Sequence, residues 1–110
     1  MPVNQHDIFI SLVMPVYHEA SHIGNVLEQV ESCLVETNFR FEFVLVDDGS
    51  KDDTWQVLNA LSARFPMMRA VRLSRNFGKE LALCAGMELA HGDAVIVMDA
   101  DGQHPPSLLP

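Results

Sequence analysis

Two carboxylates one residue apart follow an apolar run near the end of the printed sequence. Asp99 and Asp101 come directly after residues 94–98, and Gln103 adds a further side-chain oxygen. Side chains at positions i and i+2 of an extended chain point the same way. Hard cations such as Mg²⁺ and Mn²⁺ take oxygen ligands and leave positions open for substrate phosphates. The spacing predicts a divalent metal bound to a diphosphate, with a solvated Asp turn as the alternative.

The segment after the first apolar run carries groups that suit a nucleoside. Tyr17 offers a flat ring for stacking on a base or sugar, and Glu19 offers an acceptor for ring or ribose donors. The alternative is that this segment only starts the first helix. His18 is predicted to be a surface residue rather than a metal ligand.

A pair of aspartates follows the second apolar run. Asp47 and Asp48 precede Gly49 and Ser50. One aspartate could serve the turn between strand and helix while the other accepts a hydrogen bond from a base N–H. Glycine at position 49 permits a close approach or a positive φ. A turn with no binding role, in which Ser50 or Asp52 caps the next helix, is the alternative.

Basic residues follow the third apolar run. Arg75 and Lys79 flank the predicted start of the third helix, with Arg72 just before them. Backbone N–H groups at a helix start favour an anion, so phosphate contact is predicted there. An ordinary helix start with Glu80 in its first turn is the alternative. No G-x-x-x-x-G-K-S/T or G-x-G-x-x-G pattern occurs, which argues against the usual NTPase and dinucleotide sites.

Four apolar runs alternate with three helical patterns, which predicts an open α/β sheet. The runs cover residues 8–14, 41–46, 70–73 and 94–98. Runs that are nearly all apolar are typical of parallel strands covered by helices on both faces. Right-handed crossovers then bring the carboxyl end of every strand to one edge, where ligands bind in such sheets. All four polar segments are therefore predicted to form one site.

The helical patterns predict three helices with one buried face each. The first has Ser21 as its N-cap and a buried stripe formed by Ile23, Val26, Leu27, Val30 and Leu34. The second begins after Asp53, is stopped by Pro66, and places on one side Trp55, Leu58, Leu61 and Phe65. The third covers about 79–91, packs small residues inward and is stopped by Gly92.

Composition limits the class of protein. The 110 residues carry a net charge of −8 and 48% hydrophobic residues, which predicts one globular unit over 1–110 with no nucleic-acid partner. No apolar run approaches the ~18 residues of a membrane span, and no signal peptide is recognisable, so a soluble, cytoplasmic location is expected. Cys33 and Cys84 are predicted to be buried thiols in a reducing compartment. The abrupt end after the metal-like motif suggests the N-terminal piece of a longer enzyme.

Four motifs together resemble the family 2 glycosyltransferases, most of all those that pass mannose or glucose from a nucleotide sugar to dolichyl or polyprenyl phosphate. In chain order they are Pro15-Val16-Tyr17-His18-Glu19, Val44-Leu45-Val46-Asp47-Asp48-Gly49-Ser50, Ser74-Arg75-Asn76-Phe77-Gly78-Lys79-Glu80 and Asp99-Ala100-Asp101-Gly102-Gln103-His104-Pro105-Pro106. The resemblance covers nearly the whole chain. It departs at His18, where the family commonly has asparagine, and at Gly102, where a larger apolar residue is common.

The resemblance implies a role for each matching residue. The nucleotide pocket would be lined by Pro15, Tyr17, Glu19, Val46 and Asp48. The diphosphate and sugar would be met by Asp99, Ala100 and Asp101, with Asp99 and Asp101 as the catalytic residues. The ligands of Mg²⁺ or Mn²⁺ would be Asp99, Asp101 and Gln103.

The resemblance also implies a fold and a reaction. The fold would be part of a Rossmann-like sheet of the GT-A type, and the reaction an inverting transfer of a hexose from UDP- or GDP-hexose to a lipid phosphate, at the membrane's cytoplasmic face in the full-length protein. Two alternatives remain: a non-catalytic fragment that only binds the nucleotide sugar, and, more remotely, a phospho-accepting receiver domain. Donor base, sugar, acceptor and oligomeric state are not readable from these residues.

Overall fold

The computed structural model describes residues 8–99, which form four strands and three helices in strict alternation. The elements are β1 (Phe9–Val16), α1 (Ile23–Val35), β2 (Arg40–Asp47), α2 (Thr54–Leu61), β3 (Met68–Arg72), α3 (Lys79–Leu89) and β4 (Ala94–Val97). Each strand falls on one of the predicted apolar runs, within two residues at either end. The predicted α/β alternation is therefore confirmed.

The four strands form one parallel sheet in the order β3-β2-β1-β4. Val16 lies opposite Asp47 and Asp47 lies opposite Arg72, so β1, β2 and β3 end at the same level. The order 3-2-1-4 is that of the Rossmann-type sheet, whereas receiver domains have the order 2-1-3. The sheet order thus excludes the receiver-domain alternative. The direction in which successive strands are added to the sheet reverses between β1 and β4.

Helices cover both faces of the sheet. One face of the two central strands contributes Leu12, Met14, Phe43 and Leu45 to a core shared with α1 and α2. The other face is covered by α3, whose Gly86 lies against Val13 and Val46. Because strand side chains alternate between faces, a nearly continuous apolar run contributes to both layers at once.

The first helix buries the predicted stripe, but its start differs from the prediction. All five predicted core residues of α1 are buried: Ile23, Val26, Leu27, Val30 and Leu34. His22, not Ser21, occupies the N-cap position, and its side chain makes no capping hydrogen bond. The N–H groups of His22 and Ile23 bond instead to the Glu19 carbonyl at 3.0 Å, so a turn leads directly into the helix.

Two other helix ends and the cysteines also depart from the predictions. Helix α2 ends at Leu61, although Phe65 is still buried through a tight turn in which its N–H bonds to the Leu61 carbonyl. Helix α3 ends at Leu89, before Gly92. A Cβ at Gly92 would lie 2.6 Å from Ser11, so this glycine serves a close approach and not a helix stop. The prediction of two buried thiols was wrong, since Cys33 is half-buried and Cys84 exposed.

Candidate functional site

A cavity of about 160 Å³ opens at the carboxyl edge of the sheet. It is lined by Pro15, Val16, Tyr17, Glu19, Asp48, Lys79 and Asp99. These residues end or follow β1, follow β2 or β4, or begin α3. The position beside the reversal of strand order is where open α/β sheets bind ligands. We call this the donor cavity, after the nucleotide-sugar donor that the family resemblance implies.

Tyr17 is held at the mouth of the donor cavity by its neighbour. Its ring is 40% exposed and stacks on the His18 ring with 3.8 Å between centroids and 24° between planes. His18 is fixed in turn, because its N–H donates to Ser50 Oγ at 2.9 Å and its Nε2 accepts from the Lys51 N–H at 3.1 Å. A pre-positioned aromatic ring loses little freedom when a base stacks on it.

The backbone conformation of His18 suits histidine as well as the asparagine that is common at this position in the family. Its φ is 53°, in the left-handed region. Asparagine, aspartate and histidine are enriched there among residues other than glycine. Histidine therefore keeps the backbone conformation and adds a ring that supports Tyr17.

Glu19 is fixed through its backbone by the start of α2. Its N–H donates to Thr54 Oγ1 at 3.1 Å, and Thr54 Oγ1 donates to Asp52 Oδ1 at 2.5 Å. This side-chain hydrogen bond from Thr54 is the main reason why the pKa of the Asp52 carboxyl lies below its usual value. The chain of bonds couples the loop after β1 to the loop after β2.

The two aspartates at the end of β2 have different partners, and Asp47 is the one that serves the predicted turn. Asp47 Oδ1 accepts the Ser50 N–H at 2.9 Å and so closes the turn. Asp47 Oδ2 is buried with no hydrogen-bond partner among residues 8–99, and its nearest cation is Arg72, with Nε at 3.9 Å. Asp48 is the aspartate that lines the donor cavity.

Asp48 also anchors the loop before α3. Its Oδ1 accepts the Phe77 N–H at 2.8 Å, and its Oδ2 accepts the Gly78 N–H at 3.0 Å and Asn76 Nδ2 at 3.1 Å. A carboxylate has about four acceptor positions. Within the described part of the chain three are filled, and the fourth is on Oδ1. Nothing in the local sequence signals this anchoring role.

Asp99 and Lys79 form an ion pair across the donor cavity. The Asp99 side chain is 21% exposed and that of Lys79 57% exposed. The pair places a cation beside the first residue of the predicted metal motif. Lys79 and Arg75 were predicted to contact phosphate. Of these two, Lys79 lines the donor cavity.

The predicted metal site lies only partly within the described residues. Asp99 supplies a hard carboxylate oxygen that fits Mg²⁺ or Mn²⁺. Ala100, Asp101 and Gln103 lie outside residues 8–99. Within those residues no group of three His, Cys, Asp or Glu side chains could hold a metal ion.

The structure brings together most of the residues predicted to contact the nucleotide sugar that it describes. Five of them line the donor cavity: Pro15, Tyr17, Glu19, Asp48 and Asp99. Val46 does not line it, because its side chain points to α3 and is fully buried against Gly86. Arg75 lies instead in a second cleft with Arg72. Val16, which the sequence analysis did not assign to the site, completes the wall.

Comparison with known proteins places the chain in a family. The family model described as "Glycosyl transferase family 2" matches residues 11–110. The chain belongs to this family. The Pseudomonas savastanoi pv. phaseolicola undecaprenyl-phosphate 4-deoxy-4-formamido-L-arabinose transferase is 44% identical over 104 residues, covering 93% of this chain. The same alignment covers 31% of that protein, so the chain spans about a third of the relative's length.

Solved structures of other glycosyl-transferring enzymes share the fold at lower identity. A Pyrobaculum calidifontis mannosyltransferase in complex with GDP-Man and Mn²⁺ superposes with a TM-score of 0.73 at 27% identity, over 84% of this chain and 27% of that one. A Mycobacterium tuberculosis glucosyl-3-phosphoglycerate synthase in complex with Mn²⁺, UDP and phosphoglyceric acid gives 0.67 at 27% identity, over 86% and 34%.

These comparisons confirm the predicted family and fold class. The chain carries part of a GT-A-type sheet, which in residues 8–99 is wholly parallel. The family 2 relatives include polyprenyl-phosphate sugar transferases, as the four motifs predicted. None of the helices among the described residues is long and apolar enough to cross a membrane.

Proposed function

We propose that this chain binds the nucleotide-sugar donor of an inverting glycosyltransferase that moves a hexose to a polyprenyl phosphate. The observation that supports this most is the donor cavity itself. Residues 15–17, Glu19, Asp48 and Asp99 come from segments far apart in sequence, yet they line one cavity at the ligand-binding edge of the sheet. The similar structures hold GDP-Man or UDP with Mn²⁺, and the P. savastanoi relative is named for undecaprenyl phosphate.

The residues of the cavity suit the parts of a nucleotide. Tyr17 presents its exposed ring to the base, and the remaining acceptor position of Asp48 Oδ1 takes a base N–H. The Glu19 carboxylate takes ribose hydroxyl donors. Lys79 offers an ammonium group to the diphosphate at the Asp99 side of the cavity. A volume of about 160 Å³ is smaller than the ~300–1,000 Å³ of most ligand sites, so only part of the donor fits between the described residues.

In this proposal Asp99, Asp101 and Gln103 hold Mg²⁺ or Mn²⁺. The metal would neutralise charge on the departing nucleoside diphosphate. Asp99 and Asp101 thereby become the catalytic residues. A lipid phosphate is already anionic near neutral pH, so its oxygen can attack the anomeric carbon with little help from a general base. A lipid acceptor places the reaction at a membrane surface, and we propose the cytoplasmic face.

Calorimetric titration of the protein with UDP and with GDP, in Mn²⁺ and in EDTA, tests the donor site. We expect one nucleotide to bind in Mn²⁺ at least tenfold more tightly than in EDTA. Asp99→Asn should abolish that difference, because it removes a metal ligand. Asp53→Asn is the matched control, since Asp53 is exposed, makes no capping hydrogen bond and carries the same charge.

The outcomes separate the alternatives. Metal-dependent binding that is lost in Asp99→Asn and kept in Asp53→Asn supports the donor site. The nucleotide that binds more tightly then identifies the base of the donor. Binding without sugar transfer to an added polyprenyl phosphate would favour the non-catalytic fragment. No binding of either nucleotide by folded protein would overturn the proposal for this chain.

A further inference from the structure

A second and larger cleft lies beside the donor cavity at the same edge of the sheet. Its volume is about 550 Å³, within the range of ligand sites. It is lined by Gly49, Ser50, Lys51, Arg72, Leu73, Ser74, Arg75 and Asn76. These residues come from the loop after β2 and the loop after β3. The two cavities share no lining residue, and the hydrogen bond from Asn76 to Asp48 joins their walls.

The charge of this cleft is opposite to that of the protein. The chain has seven Lys and Arg against fifteen Asp and Glu. Three of those seven cations, Lys51, Arg72 and Arg75, line the cleft, and no carboxylate among the described residues does. Three like charges in one cleft repel one another, and a bound anion would offset that repulsion. We call this the basic cleft.

The cations of the basic cleft keep donors for a ligand. Lys51 and Arg75 form no ion pair with residues 8–99. The Arg75 guanidinium lies over the Phe77 ring, 4.8 Å from its centroid, which positions it without using its N–H groups. Ser74 contributes a hydroxyl close to these charges.

Arg72 is the best-positioned of the three. Its Nη2 donates to the Ser50 carbonyl at 3.3 Å, and its guanidinium lies 5.9 Å from the Trp55 ring centroid. Its contact with the Asp47 carboxylate is loose, with Nε at 3.9 Å from Oδ2. An arginine has five N–H donors in a fixed fork, and only one hydrogen bond from this fork is made within the described residues.

From this arrangement we infer that the basic cleft binds a phosphate group. The fork of Arg72 matches phosphate oxygens, while Lys51 and Arg75 supply the charge that a phosphate requires. The phosphate could belong to a soluble ion or to a lipid head group, and the chemistry of recognition is the same. This site is separate from the donor cavity and does not depend on the proposed transfer reaction.

Two probes and three variants test the basic cleft. The probes are radiolabelled inorganic phosphate in equilibrium dialysis, and vesicles of phosphatidylglycerol against phosphatidylcholine in co-sedimentation. The test variant is Lys51→Gln/Arg75→Gln, because neither side chain has an ion pair whose loss would disturb folding. Arg40→Gln/Arg64→Gln makes the same change of charge away from the cleft. Lys79→Gln removes the cation of the donor cavity.

We expect the protein to bind inorganic phosphate, phosphatidylglycerol vesicles or both. Lys51→Gln/Arg75→Gln should weaken that binding at least tenfold and more than Lys79→Gln does, while Arg40→Gln/Arg64→Gln should change it less than threefold. Binding of phosphate alone identifies a soluble ligand, and binding of the anionic vesicles identifies a lipid head group. If the protein binds neither inorganic phosphate nor the anionic vesicles, the inference is overturned. So does an equal loss in Arg40→Gln/Arg64→Gln, which would indicate net charge alone, or a larger loss in Lys79→Gln.

Discussion

Asp48 serves the architecture of the protein and its proposed site at once. Its side chain accepts two backbone N–H groups and one amide from the loop before α3, and it still faces the donor cavity. Charge-assisted hydrogen bonds to buried carboxylates are among the stronger ones in proteins. A change at Asp48 would therefore disturb the loop and the ligand contact together. Variants of its neighbour Gly49 separate the loop geometry from the carboxylate.

Gly49→Ala should destabilise the protein by about 3 kcal/mol or more. The φ of Gly49 is 72°, and a Cβ would lie 2.3 Å from the Arg75 carbonyl carbon and 2.5 Å from the Asn76 nitrogen. Backbone atoms cannot move aside as a flexible side chain does. Urea denaturation measures the free energy of unfolding.

Gly24→Ala is the control for Gly49→Ala. Gly24 lies in α1, and a Cβ there would be 3.6 Å from a Leu61 methyl group, an ordinary contact. We expect unchanged stability or a gain of up to about 1 kcal/mol from helix propensity. Equal stability of the two variants would contradict the close approach at Gly49.

At the scale of elements, the closeness of α3 to the sheet fixes one wall of the donor cavity. Helix α3 begins at Lys79, which lines the cavity, and it packs on β1 and β2 through Ala82 and Gly86. A Cβ at Gly86 would lie 2.5 Å from Val13 Cγ1 and 3.2 Å from Val46 Cγ2. The absence of a side chain at Gly86 thus sets the height of the helix above the strands, and with it the position of Lys79.

Gly86→Ala and Val13→Ala should show strong coupling in a double-mutant cycle. Gly86→Ala costs about 1–3 kcal/mol from overpacking, less the gain in helix propensity, and Val13→Ala costs about 2 kcal/mol from the space that it leaves. The double variant should be at least about 1 kcal/mol more stable than the sum of the two single losses predicts, because the new methyl group at position 86 fills the space left at position 13. Additive unfolding free energies would show that α3 does not lie this close to the sheet.

At the scale of the whole molecule, the two ends of the sheet have different tasks. The carboxyl edge carries the donor cavity and the basic cleft. Near the amino end, Glu42 is 5% exposed and accepts Ser11 Oγ at 2.5 Å and the His91 N–H at 2.8 Å. The Gly92 N–H donates to Ser11 Oγ at 2.7 Å. This network ties the connection after α3 to both central strands.

Glu42→Ala should cost about 3 kcal/mol of stability, because it removes the acceptor of the buried Ser11 hydroxyl and of the His91 N–H. Nucleotide affinity, measured where the variant is still folded, should change less than twofold, since the network lies away from the donor cavity. Glu28→Ala is the matched control: Glu28 forms an exposed ion pair with Arg64, whose loss costs no more than about 1 kcal/mol. A small loss for Glu42→Ala in urea denaturation would contradict the structural role of the network.

Much of the architecture is determined by the sequence alone. The apolar runs place all four strands, and the spacing of Ile23, Val26 and Val30 identifies the buried face of α1. Hydrophobic periodicity is a local property, so it can be read without knowledge of the fold. The polar segments after the strands likewise predict one edge site, and their order along the chain is sufficient for the family resemblance. Local capping was read less well, as His22 and Gly92 show, because caps depend on backbone angles that several residue types allow.

Only the tertiary structure decides how these local pieces meet. The sheet order excludes a receiver domain, and the packing of α3 buries Val46 away from the donor cavity. The folded loops also separate two cations that are close in sequence, since Lys79 pairs with Asp99 while Arg75 lines the basic cleft. Neither the partners of Asp48 nor this separation leaves a pattern in the sequence. Each depends on contacts between segments some 20 to 30 residues apart, and no local propensity specifies such contacts.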